Sequence, residues 1–484
     1  MPAADGRVTH LMTGETHAVV LGGGLTGMLT SAVLARHLDK VTVIERDVLP
    51  EGPELRKGVP QARHAHLLWS GGARAIDSVL PGTVKQLIAE GAHRLYLPRD
   101  VVWLTPHGWQ HRFSGSQFMV TCSRALLDWV VRRQALAEPK ITVRQETEVL
   151  GLLGGAGQVT GVRLRDRSGE STELAADLVV DAGGRASALR RWLPELGLDQ
   201  VEEDVVDSGI AYATRVFKAP APVAQGFPMV NIAAAPGLGK PGQNGALVPI
   251  EDGKWLVTLA GTRGGEPPTD DDSFLDFARG LRHPVLADLL ERAEPLGPVK
   301  GSRSTVNRRL YYDRVANWPD GLLVLGDALA AFNPVYGHGM SCSALSAKAL
   351  NAELGRSGLA PGMVQAVLQK VAKVVDDPWL LATTQDICYP GTKVTAQDPR
   401  IAPRGDQEQQ FADLLSTAAL HDPVVSAAAM QVTALAAPVS SLESPHLVAA
   451  LRKGKSHEPL TAPPFKDAEL AVLDGDAAGA AASA

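Results

Sequence analysis

Apolar positions run almost unbroken through HAVVLG, residues 17 to 22, yield to a glycine-opened stretch of small residues, GGLTGMLTSAVLARHL, and resume in KVTVIERD. Short apolar runs bounded by turn residues read as buried parallel strands, and the longer stretch between them reads as a helix. The chain is thus predicted to open with a strand-helix-strand unit. Between residues 142 and 180 the pattern shortens into TVRQETEVLGLLG, QVTGVRLRD and STELAADLVV, three strands of a meander, and ADLVVDAGGRAS (176–187) carries a further apolar strand into Asp181 and two glycines. From 205 to 300 longer alternating strands follow, GIAYATRVFKA, FPMVNIAAA, GALVPIED and KWLVTLAGTRG. They predict an antiparallel sheet in a separate lobe, which the strand-like segment 97–123 is expected to join. A last apolar run, GLLVLG, feeds GDALAAFNPVYGHGM (326–340), after which SCSALSAKAL restarts a helix; beyond residue 365 the chain is mainly helical and alanine-rich. No internal repeat is visible.

Composition narrows the classes. A chain of 484 residues has room for several domains, and 47 basic against 53 acidic residues, interleaved, give a net charge of -6 and no footprint for nucleic acid. Three scattered cysteines, Cys122, Cys342 and Cys388, suggest neither a disulfide framework nor a zinc site and fit a reducing cytoplasm. The first residues lack the pattern of a secretory signal, and no run of about 18 uncharged apolar residues occurs. Residues 1–16 are expected to be disordered, as is 467–484, whose small side chains offer little to bury.

The first turn matches G-x-G-x-x-G at Gly22, Gly24 and Gly27, and Glu45 closes the second strand at the spacing of a dinucleotide fingerprint. The glycines permit the tight turn, the approach of a pyrophosphate and close helix packing, and Glu45 would accept hydrogen bonds from ribose hydroxyls. This motif alone does not separate NAD from FAD. The strand-to-glycine turns at Asp181 and Asp327 indicate further backbone approaches to one large ligand.

Together GGGLTG with Glu45, ADLVVDAGGRAS and GDALAAFNPVYGHGM resemble the FAD-dependent monooxygenases of the aromatic-hydroxylase and squalene-epoxidase type. The segments LRKGVPQARHAHLLWSGGAR and SRSTVNRRLYYDR, with GWQHRF, EDGKW, GTRGGEPP and VDDPWLLAT, resemble more particularly the flavin epoxidases of bacterial polyether-ionophore biosynthesis, over roughly residues 17 to 465. The resemblance implies an α/β fold: a Rossmann-like, three-layer FAD-binding domain (17–96, 124–200 and 301–364), an antiparallel-sheet substrate domain (97–123 and 201–300) and a C-terminal helical region (365–466). It implies FAD held by Gly22, Gly24, Leu25, Thr26, Gly27, Glu45 and Arg46, with Arg56 and Lys57 in the following loop and Arg124 toward the phosphates. Asp181 and Gly183 join them from the second turn. In the last motif Asp327 would hold a ribityl hydroxyl while Pro334, Gly337, Gly339 and Met340 line the ring. Many relatives carry glycine directly after the acid where this chain has Ala182-Gly183-Gly184, which weakens any nicotinamide-linked role for Asp181.

The chemistry so implied is reduction of FAD by NAD(P)H, addition of oxygen to give a flavin hydroperoxide, and oxygen transfer to carbon-carbon double bonds of a polyene polyketide, several per substrate. The polyene would arrive free or linked to a carrier protein. No side chain is assigned a catalytic role, because the hydroperoxide is itself electrophilic. An aromatic hydroxylase with the same cofactor, and a flavin-fold escort protein without redox activity, are the alternatives. A flavin halogenase is disfavoured, since W-x-W-x-I-P and the lysine of the glycine-rich turn are missing. No Ser-His-Asp elbow, P-loop or kinase signature is present. The spacings of His64 with His66 and of His107 with His111 raise a metal site, but no acid accompanies either pair and none is predicted. His338, inside the last motif, is expected to be packed or hydrogen-bonded. Oligomeric state is not legible.

Overall fold

The computed structural model describes residues 14–474 except 224, 225, 304 and 455. At its centre five parallel strands lie in the order Leu322–Val324, Leu178–Asp181, His17–Leu21, Lys40–Ile44, Ile141–Arg144. Their register pairs Leu21 with both Asp181 and Ile44, and Asp181 with Val324. The turns at Gly22, Ala182 and Leu325 therefore emerge side by side from one edge of the sheet, where open α/β sheets bind ligands. Parallel strands are covered on both faces, and residues 18–21 and 178–181 are fully or almost fully buried. Helices Leu25–His37, Arg124–Ala135 and Gly339–Ser357 pack into this core, as do Val159, Val162 and Leu164 of the meander Glu148–Gly155, Gln158–Arg165 and Ser171–Ala175.

The second lobe is an eight-stranded sheet. Its period-2 alternation divides the chemistry: Trp255, Val257 and Leu259 point into a core shared with helices Ser273–Arg279 and Val285–Leu290, while Thr258, Ala260 and Thr262 face a large cavity. The expected antiparallel pattern holds for most pairs but not for Met229–Ile232, which pairs in parallel with Val101–Thr105. A long connection separates those strands, so no hairpin dictates their direction. Nor does all of 97–123 join this sheet. Val101–Thr105 and Gly108–Trp109 do, but Gln117–Thr121 pairs with Leu67–Trp69 and His93–Leu97 in a three-stranded sheet.

Helices Met363–Asp386, Asp406–His421, Pro423–Thr433 and Pro445–Lys453 follow. The tail departs from expectation: residues Asp467–Asp474 form a helix. Val472 is buried against the second lobe, and the Glu469 carboxylate meets both terminal nitrogens of Arg112, one of them at 3.0 Å. One apolar anchor and one shielded ion pair order a segment whose composition alone argues for disorder. Residues 475–484 and 1–13 lie outside the described residues; of the expected N-terminal disorder, residue 16 is tied down, its amide and hydroxyl donating to Asp39 at 3.0 and 2.8 Å.

Candidate functional site

Gly22 adopts φ +101°, and a Cβ there would stand 2.8 Å from the carbonyl oxygen of Ala182, so the first two turns touch through a position only glycine fits. Gly27 meets the same turn from the helix, where a Cβ would come within 1.8 Å of the Gly22 carbonyl oxygen. The helix Leu25–His37 begins at Gly24 with no side-chain cap, leaving its first amides directed into the crevice. Glu45 closes the crevice: its Oε2 accepts from the Gly23 amide and Arg56 Nη1, both at 2.8 Å, and its Oε1 from the Asp47 amide at 3.0 Å. Burial pushes this carboxyl up, but the amides and the Arg56 charge more than offset it and hold it below its ordinary range.

The third turn closes on the first. Gly326, at φ +66°, leaves no room for a Cβ beside Thr26, whose hydroxyl donates to Ser343 Oγ at 3.0 Å. Asp327 is one-third exposed and lies 3.7 Å from Arg185 Nε. Pro334–Tyr336 forms a 3-10 turn, Gly337 turns left-handed at φ +67°, and the helix Gly339–Ser357 starts directly behind it. Asp181 is buried, accepting from the Gly183 amide at 2.9 Å and from the Ser187 hydroxyl, and burial raises its pKa.

One continuous cavity of about 1530 Å³ connects these groups and extends beneath the second lobe. That exceeds the roughly 300–1,000 Å³ of a single small-molecule pocket, leaving space for a dinucleotide and a further molecule. Of the expected residues, Gly22, Gly24, Leu25, Thr26, Glu45, Arg46, Arg56, Arg124, Asp181, Gly183, Asp327, Pro334, Gly337, Gly339 and Met340 line it. Gly27 does not, serving instead the helix-to-turn contact. Lys57 is exposed and stands outside the lining, the chain turning after Arg56 where the Gly58 amide donates to Asp47 at 2.7 Å. Arg124 is engaged by Asp128, its Nε donating at 2.7 Å, while still lining the cavity.

The histidine pairs are not paired as the spacing suggested. His64 ends a 3-10 turn and hydrogen-bonds Thr214 through Nδ1 at 2.8 Å, whereas His66 Nδ1 reaches back to the His64 carbonyl oxygen. Burial lowers the pKa of His64 to about 4 and of His66 to about 3, with Arg63 and Arg124 respectively adding to it. His338 is buried, its pKa lowered to about 4, and its Nδ1 has no hydrogen-bond partner among the described residues. His107 and His111 flank the short strand Gly108–Trp109 and do not share a helical face. Among the described residues no cluster of three or more His, Cys, Asp or Glu is found that could hold a metal ion. No helix among them is long and apolar enough to cross a membrane.

Several lining residues escaped the sequence reading. Arg185 sits inside AGGRAS, where only the glycines drew notice; its Nη1 donates to the Val306 carbonyl at 2.8 Å. Tyr212, Asp386 and the turn carrying Asn333 and Tyr336 converge from three distant segments, and no local signal joins them.

Comparison with known proteins fits this geometry. The family model described as FAD binding domain matches residues 15–357, and the chain belongs to that family. It is 32% identical over 436 residues, covering 85% of this chain and 88% of the other, to Protein Rv3254 of Mycobacterium tuberculosis. It is 27% identical to kynurenine 3-monooxygenase of Salinispora tropica, over 67% of this chain and 69% of that one, and 30% identical to squalene monooxygenase of Mus musculus over 37% and 30%. The flavin-dependent brominase Bmp2 shares the fold, with a TM-score of 0.63 at 15% identity over 90% of this chain and 98% of that one. The protein is a member of the FAD-dependent monooxygenase superfamily. Its residues suit FAD: a glycine cradle that a Cβ would fill, uncapped helix amides toward a pyrophosphate, and acids at the ends of two strands for hydroxyl donors.

Proposed function

We propose that this protein epoxidises carbon-carbon double bonds of a long apolar polyene, acting at more than one alkene of the same substrate, as in the assembly of a polyether from a polyene polyketide. One observation carries the reading: the cofactor crevice is continuous with the cavity beneath the sheet, where Ala246, Val248 and Ala260 form apolar wall beside the hydroxyl of Thr258. Such a wall offers an extended chain similar contacts at successive registers, so that it slides at little cost in free energy. When bound, FAD supplies the redox chemistry, taking electrons from NAD(P)H and activating oxygen. The chain's own residues hold and orient it. The Gly22–Gly24 turn and the amides opening Leu25–His37 take the pyrophosphate, Glu45 the adenosine ribose, and Asp327 the ribityl chain. The turn at Pro334–Gly337 brings the next helix toward the ring, where free amides and the positive dipole end favour negative charge. The sheet and the helix Asp406–His421 line the same cavity.

Likeness to squalene monooxygenase, a protein named for oxidising an alkene-rich lipid, supports this reading over part of the chain. Likeness to kynurenine 3-monooxygenase over a longer span favours a second, aromatic hydroxylation. The FAD-loaded enzyme supplied with NAD(P)H and oxygen decides between them when offered a triene and a phenol. Successive additions of one oxygen atom to the triene, followed by mass spectrometry, are expected. Hydroxylated phenol beside untouched triene would replace the first reading with the second. Presenting the triene free and on a carrier protein tells which form is accepted.

A further inference from the structure

We propose that Asp386 is a positioning residue of the flavin site, clamping the Asn333–Gly337 turn to the strand ends at Ser208 and Asn307 and so fixing where the following helix begins. Asp386 is the last residue of the helix Met363–Asp386 and is 1% exposed. Its Oδ2 accepts three hydrogen bonds, from Asn307 Nδ2 at 2.7 Å, Asn333 Nδ2 at 2.9 Å and Ser208 Oγ at 3.1 Å, and its Oδ1 accepts the Tyr336 hydroxyl at 2.7 Å. Two of these donors, Asn333 and Tyr336, belong to the turn. The other two stand beside it, at the start of one strand and the end of another.

The network continues outward. Asn333 Oδ1 accepts from the Tyr212 hydroxyl at 2.7 Å, tying the turn to the sheet, and from the Val335 amide at 3.2 Å, shaping the turn itself. The Asn333 amide donates to Asn307 Oδ1 at 2.6 Å. Gly337 then turns into the helix Gly339–Ser357 whose first residues line the cavity.

A buried carboxylate is costly, and burial does raise the pKa of this one above its ordinary range. Removing it alone would leave four buried donors without an acceptor, so it is kept by the network it joins. A carboxylate does what apolar packing does not: it accepts from four donors in fixed directions at once. Two of the segments so joined, the turn carrying Asn333 and Tyr336 and the strand carrying Tyr212, also form walls of the cavity. The position of the turn, and of the amides behind it, is thereby set by a residue some 50 positions further along the chain.

The inference rests on FAD occupying the crevice and is independent of which substrate is oxidised. Asp386→Asn keeps the shape but has one acceptor oxygen in place of two: whichever way its amide lies, the NH₂ faces either the Asn307 and Asn333 NH₂ groups, which only donate, or the Tyr336 hydroxyl, which must then reverse and accept. Titration of the apoprotein with FAD, read by flavin fluorescence, is expected to show affinity weakened by about tenfold or more, and the bound flavin's visible absorption bands should shift. Tyr336→Phe removes one bond from the turn side alone and should move both readouts the same way by less. Should Asp386→Asn fail to fold, Tyr336→Phe carries the test. Wild-type FAD affinity and an unshifted flavin spectrum in a folded variant, even one with a lowered melting temperature, would overturn the proposal and leave Asp386 a purely structural residue.

Discussion

Arg56 Nη1 donates to Glu45 Oε2 at 2.8 Å, and both side chains are about nine-tenths buried at the end of the second strand. The same oxygen holds the Gly23 amide, so one carboxylate shapes the phosphate turn and faces the site of the ribose. Glu45→Gln should weaken FAD binding by about tenfold to a hundredfold, the worth of hydrogen bonds to a charged group. Titrating apoprotein with FAD checks it; unchanged affinity would mean that Glu45 serves only its own loop.

Asp327 makes one long contact, 3.7 Å to Arg185, and is partly exposed. Its removal should therefore cost the fold less than about 1 kcal/mol while the ribityl chain loses its acceptor. Asp327→Ala is expected to purify with reduced flavin content and an unaltered circular dichroism spectrum. A variant with full flavin content would remove Asp327 from the cofactor site.

Gly27→Ala places a methyl group 1.8 Å from the Gly22 carbonyl oxygen. The helix must move off the sheet, at a cost of at least about 2 kcal/mol, and thermal melting of the apoprotein should fall accordingly. Gly155→Ala, with nothing within 4 Å of the new carbon, is the matched control and should melt with the wild type.

The pKa of His64, lowered from 6.5 to about 4, makes stability depend on pH in one direction. The folded ring stays neutral while the unfolded one takes up a proton below 6.5. Its contribution is therefore complete above 6.5 and is lost as pH falls toward 4, amounting to about 2 kcal/mol by pH 5. His338, also lowered to about 4, adds to the same window. Urea unfolding of apoprotein at about pH 7.5 and 5 should show this loss, and His64→Gln should lessen it. Equal losses in variant and wild type would show that His64 is not the group responsible.

What the sequence disclosed follows from how local each signal is. Gly22, Gly24, Gly27 and Glu45 lie within one strand-helix-strand unit, so their spacing alone puts them around a pyrophosphate. Asp181, Asp327 and Pro334 follow apolar strands directly, and parallel pairing brings the first two of these turns beside Gly22. Lys57 stands exposed outside the lining although Arg56 is in it, because one residue of loop suffices to turn a side chain from the crevice to solvent. Asp386 was invisible for the opposite reason: its meaning lies in donors from Ser208, Asn307, Asn333 and Tyr336, none of them a sequence neighbour. The helix at Asp467–Asp474 was missed because composition does not reveal that Arg112 waits for Glu469.

The strand order of the central sheet also bears on how the protein is made. The opening strand, His17–Leu21, sits in the middle, and the strand on one side of it, Leu178–Asp181, pairs in turn with Leu322–Val324. A ribosome working from the N-terminus thus releases the phosphate turn early but completes the opposite wall of the crevice only after about residue 340 has emerged. Until then the half-built sheet exposes an unpaired edge of apolar strand, the arrangement most open to sticking to other chains. The crevice for FAD is therefore complete only late in synthesis, and a shortage of FAD should show first as aggregated protein.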